Sequence, residues 1–132
     1  MEKMREILFR GKAGPIWVAG YLLVWPSGQM EICAQTPGEE AQMHKMTVYP
    51  ETVGQFTGLA DKNGKKIFEG DVIKRFWLGG ELLYRVIYES DCARFIGKCI
   101  NRNGFTTIEG DGDCFEVIGN IYDNPELLEG HQ

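Results

Sequence analysis

What this sequence lacks narrows its chemistry first. Its four cysteines, Cys33, Cys92, Cys99 and Cys114, form no C-x-x-C pair, and neither histidine, His44 or His131, stands near them at a ligand spacing. Zinc sites need ligands at short characteristic intervals, so none is expected. No apolar run is long: residues 21–25 are the longest, far short of a bilayer span. The first ten residues are charged and lack the apolar stretch of a signal peptide. The expectation is therefore four reduced, partly buried thiols in a cytoplasmic protein. There is no basic excess either. Fourteen Lys and Arg stand against nineteen Asp and Glu, a net charge of −5, and neither half of the chain is a basic footprint for nucleic acid.

What is present is ordinary globular material: 132 residues, 43% hydrophobic and 25% charged. Short alternating runs separated by Gly, Asn and Asp turns predict a mainly β protein. Strands are expected at residues 6–10, 16–25, 29–35 and 43–49. Residues 21–25 and 29–35 form a hairpin around Pro26-Ser27-Gly28. Pro50 predicts a helical turn over 50–56, with Val53 and Phe56 on one face. After the turn Asp61-Lys62-Asn63-Gly64, further strands are expected at 72–77, 82–88, 93–100, 105–108 and 114–119. A last helical turn over 125–129 has Asn124 as its N-cap. Five short strands over about sixty residues suit a small SH3-like barrel, because closure removes exposed edges. The division read is an N-terminal β-rich segment, 1–58, and a barrel, 59–132, in one unit with short helical turns.

Three segments carry a resemblance. They are Arg5-Glu6-Ile7-Leu8-Phe9-Arg10, the stretch from Thr52 through Phe68-Glu69-Gly70-Asp71 to Lys74, and Val117-Ile118-Gly119-Asn120-Ile121-Tyr122-Asp123-Asn124-Pro125 with the leucines after it. In order and spacing the chain resembles the YopX-like family of phages and prophages. The resemblance implies an SH3-like barrel in the second half and a phage or prophage origin, and it brings no catalytic residue. Its motifs read as structure: Gly58 and Gly64 at turns, Gly70 before a strand where backbones approach closely, Asn120 and Asn124 bonding local backbone. Residues 11–48 depart most from the family pattern.

Candidate sites follow from residue type. Glu109, Asp111 and Asp113 offer oxygen ligands to a divalent cation, but a flexible acidic turn explains them better. Glu69 and Asp71 form no recognisable acid–base pair without a pocket. No catalytic motif and no cofactor is implied, and an enzyme, metal-dependent or other, is the weakest reading. Lys62, Lys65, Lys66, Lys74 and Arg75, with Phe76 and Trp77, hold the ingredients of single-strand nucleic-acid binding, countered by Glu69 and Asp71 among them. Trp17, Tyr21, Trp25 and Trp77 are more aromatic surface than one small core hides. They favour protein–protein binding or self-association over nucleic acid or membrane, with residues 21–35 offering a strand edge.

Overall fold

The structure is a computed structural model that describes residues 4–35, 42–108 and 114–129. The acidic turn with Glu109, Asp111 and Asp113, and also His131, lie outside the described residues. The chain is mainly β and divides into two compact units, Met1–Phe56 and Thr57–Gln132.

In the first unit, β1 (Phe9–Ala13), β2 (Ile16–Val24), β3 (Met30–Gln35) and β4 (Met43–Val48) form an antiparallel meander. After a 3-10 turn at Pro50–Thr52, β5 (Gly54–Ala60) begins by pairing with the outer side of β1, Arg10 opposite Gly54. The sheet curls, and two glycines permit it. A Cβ on Gly20 would lie 2.2 Å from the Cys33 carbonyl oxygen, and one on Gly11 would lie 3.0 Å from the Val48 side chain. Ile32 and Val48 are buried on this inner side. The end of β4 returns to β1, where the Tyr49 N–H donates to the Lys12 carbonyl at 2.9 Å. Thr52 Oγ1 accepts from the Lys12 N–H and donates to the Tyr49 carbonyl, fastening the 3-10 turn to the same place.

In the second unit, the remainder of β5 pairs with β6 (Lys66–Phe68). Then β7 (Asp71–Trp77), β8 (Gly80–Glu89), β9 (Arg94–Cys99), β10 (Phe105–Thr107) and β11 (Glu116–Asn120) form a five-stranded antiparallel sheet in the order β10-β9-β8-β7-β11. Ile67, Ile73, Tyr84, Val86 and Phe115 are its core, with the Tyr84 and Phe115 rings edge to face at 6.2 Å. Burying one such side chain contributes about 1.5–3 kcal/mol.

The family motifs hold strands together with the turns that join them, and side-chain oxygens fasten those turns. Asp61 is 4% exposed; its Oδ1 accepts from the N–H groups of Asn63 and Lys65, and its Oδ2 from that of Val117. Burial by itself would raise this carboxyl's pKa, but the N–H bonds from Val117, Lys65 and Asn63, with the Lys65 charge, outweigh it and hold the pKa below the ordinary value. Asp71 Oδ2 accepts from the Phe68 N–H across Gly70, which sits at φ +94°. Asn120 Oδ1 accepts from Tyr122 and Asp123, and Asn124 Oδ1 accepts from the Asn120 N–H.

Several expectations are corrected. Residues 4–8 are not strand; β1 starts at Phe9, where pairing to β2 and β5 begins. The helical turn expected over 50–56 stops at Thr52, because Gly54 and Phe56 join β5 by pairing with β1 and its approach, so tertiary pairing overrides local propensity. Asn124 flanks the last 3-10 turn, Pro125–Leu128, without a side-chain cap bond. Within residues 21–35, β3 pairs along its length with β4 and so is not an edge, while the β1–β2 ladder ends at Phe9 opposite Gly20. The five-stranded sheet is not closed into a barrel: β10 and β11 are its two ends.

Candidate interaction surface

Strand β2 decides what the first unit presents to solvent. Side chains alternate across a strand, so Leu22 shares the inner side with its cross-strand partner Ile32, while Trp17, Ala19, Tyr21 and Leu23 point to the other. On a sheet with one buried side, that outer side is normally polar. Here Ala19, Tyr21 and Leu23 are exposed, Tyr21 by 60%, and Trp17 is half-buried. Trp25, just beyond the strand, donates its indole N–H to Glu31 Oε1 at 2.6 Å. Glu31 pairs across from Leu23, and Cys33, flanked by Lys45, across from Tyr21.

Three of the aromatic residues singled out in the sequence, Trp17, Tyr21 and Trp25, therefore belong to one neighbourhood. Two of its members were not foreseen. The Arg10 guanidinium carbon lies 4.8 Å from the centre of the Trp17 ring and Lys12 Nζ lies 5.6 Å from it. The signal was available in the pairing of a tight β1–β2 hairpin around Gly14, which sets Lys12 opposite Trp17 and Arg10 opposite Ala19.

A cleft opens beside this surface. Met4, Arg5, Glu6, Ile7, Phe9, Tyr21 and Leu22 enclose about 560 Å³. Its walls are mostly apolar, with one charge of each sign.

The basic set is dispersed. Lys62 and Lys74 meet on Glu116, at 3.8 and 3.7 Å, and Lys74 also approaches Glu81 at 3.8 Å. Arg75 follows Lys74 in β7 and so takes the other side, where its guanidinium sits 5.7 Å from the Tyr84 ring and 5.6 Å from the Phe115 ring. Lys65 and Lys66 are exposed around the start of β6. Lys74 Nζ lies 5.2 Å from the Phe76 ring; the side chain of Trp77 lies outside the described residues.

Among the described residues no three His, Cys, Asp or Glu converge as metal ligands. Cys92 is exposed, but its thiol pKa is raised by a hydrogen bond to Glu89 and by that carboxylate's charge. Glu89 is held below its ordinary range chiefly by Arg94, whose Nε donates to it at 2.9 Å.

Residues 26–129 match the YopX protein family. The chain belongs to this family. Among solved structures it is similar to the crystal structure of protein EF1440 from Enterococcus faecalis. That likeness has a TM-score of 0.59 and 23% sequence identity, and covers 96% of this chain and 100% of that one. At that identity the likeness is one of fold. No curated protein matches the sequence. The YopX match begins at Pro26, so the strand carrying Trp17 and Tyr21 precedes it. No helix among the described residues is long and apolar enough to cross a membrane.

Proposed function

We propose that this YopX-family chain is a phage or prophage accessory protein that works in the host cytoplasm by binding, without catalysis. Its contact surface is the outer face of the N-terminal sheet, and its partner is a second copy of the same chain. The observation that carries this reading is the row Trp17, Ala19, Tyr21 and Leu23, apolar where a one-sided sheet ordinarily turns polar residues to water. Tyr and Trp are the residue types that supply most of the energy in interfaces. Charges of both signs frame the row, Arg10, Lys12 and Lys45 against Glu31, which suits contact between identical chains. The sheet order β10-β9-β8-β7-β11, a meander whose last strand returns beside its first, supports an SH3-like reading of the C-terminal unit.

Sedimentation velocity over a wide concentration range tests the proposal. The expected result is reversible self-association that Leu23→Glu weakens while leaving the thermal melt unchanged. A protein that stays monomeric throughout overturns it.

Nucleic-acid binding through the segment from Lys62 to Trp77 is the weaker reading, because Lys62 and Lys74 already share Glu116. Oligonucleotide binding that falls steeply with salt would reverse this order.

A further inference from the structure

Register in the five-stranded sheet sets two cations side by side. Arg85 of β8 and Lys98 of β9 are direct cross-strand partners, so their side chains rise from one face, opposite the side that carries Tyr84 and Val86 into the core. Like charges placed directly opposite each other destabilise a sheet. Among the described residues the side chains of Arg85 and Lys98 make no hydrogen bond or ion pair, and Arg85 Nε is buried with no acceptor. The carboxylates that register puts on this face are committed elsewhere. Glu89 accepts from Arg94 at 2.9 Å, and Glu81 and Glu116 approach Lys74 at 3.8 and 3.7 Å. A buried charged donor without an acceptor is costly, and such a group marks a place where an ion or ligand supplies one.

The same row shows what kind of ligand. Val72, opposite Arg85 on β7, is fully buried, whereas Phe105, opposite Lys98 on β10, is 57% exposed. Across four strands the order is buried valine, arginine, lysine, exposed phenylalanine. Two adjacent positive charges match a group with close to two negative charges, a phosphate monoester, better than a single carboxylate, and a guanidinium meets phosphate oxygens in pairs. One strand spacing further out, about 5 Å, the Phe105 ring offers a flat apolar surface to a ring attached to that phosphate. Arg94, 5.5 Å from the centre of the Phe105 ring, is held by Glu89.

We infer that Arg85 and Lys98 bind the phosphate of a mononucleotide whose base lies against Phe105. The site belongs to the second unit alone, lies outside the segment from Lys62 to Trp77, and does not depend on self-association. One phosphate is what two cations on a chain of net charge −5 can hold; a nucleic-acid strand calls for a longer basic track.

Calorimetric titration of the full chain with inorganic phosphate, ribose 5-phosphate and AMP tests this. All three are expected to bind, AMP about tenfold tighter than ribose 5-phosphate through its stacked base. Lys98→Gln and Arg85→Gln are each expected to weaken all three about tenfold or more. Phe105→Ala is expected to bring AMP down to the affinity of ribose 5-phosphate and leave ribose 5-phosphate unchanged. Thermal melts establish that each variant is folded, and Lys98→Gln, at an exposed position, carries the test if Arg85→Gln is not. Absence of AMP binding at millimolar concentration overturns the inference, as does an AMP affinity that Lys98→Gln leaves unchanged. Equal affinities for AMP and ribose 5-phosphate, untouched by Phe105→Ala, overturn the base contact. A single-stranded oligonucleotide of about ten bases that binds more than about a hundredfold tighter than AMP overturns the mononucleotide in favour of a strand.

Discussion

Replacing Asp61 with alanine removes one carboxylate and strands three donors. The N–H groups of Asn63, Lys65 and Val117 all point at this buried side chain, at 2.9 Å each. An unmet buried donor costs about 1–3 kcal/mol, and bonds to a charged acceptor are at the upper end. Water reaches the turn side, because Asn63 and Lys65 are exposed, whereas the Val117 bond ties the turn to β11. The expected loss is about 3–4 kcal/mol, in the range of broken buried networks. Urea unfolding followed by tryptophan fluorescence reads it directly; at a slope of about 1–3 kcal/mol per molar, the midpoint falls by about 1–4 M. The pH dependence supplies an independent check. The Asp61 pKa is lowered in the folded state from 3.8, so its stabilisation is fully present above about pH 4 and is lost as pH falls through the folded-state value. Asp61→Asn, which keeps an acceptor oxygen but no charge, should be less stable at neutral pH and lose less than the wild type on acidification. A loss below about 1 kcal/mol for Asp61→Ala, or identical acid profiles for wild type and Asp61→Asn, would refute the reasoning.

Other consequences are as direct. Gly20→Ala puts a methyl group 2.2 Å from the Cys33 carbonyl oxygen, a backbone atom that cannot swing aside. It should cost about 3 kcal/mol or more and abolish the curl of the N-terminal sheet, read as a lowered melting temperature. Leu78 sits at φ +48° in the turn between β7 and β8, so Leu78→Asn should raise stability by about 1 kcal/mol, since Asn tolerates the left-handed conformation; a drop in the melting temperature would refute this. Cys92 should alkylate faster in Glu89→Gln than in the wild type at mildly alkaline pH, because removing the carboxylate lowers the thiol pKa; equal rates would show that Glu89 does not govern it.

The β class, the hairpin at Pro26-Ser27-Gly28, the clear strand of alternating residues in β8, and the family are legible in the residues alone. These are local signals: side-chain alternation has a period of two in any strand, and Gly and Asn report turns through their own backbone preferences. Trp17, Tyr21 and Trp25 stand out there too, although not the fact that the first two share a face and the third sits beside it. That emerges in the folded sheet, because which side of β2 is buried depends on the curl that brings Val48 back onto Gly11. The strand role of Gly54 and Phe56 was hidden for the same reason: their partners lie more than forty residues earlier, in and beside β1. The basic residues from Lys62 to Arg75 looked like one cluster because they are close in the chain. In the fold, alternation sends Lys74 and Arg75 to opposite sides of one strand, and Glu116, forty-two residues after Lys74, arrives to pair with Lys62 and Lys74. Charge partners are chosen by strand register, and register is a property of the whole sheet.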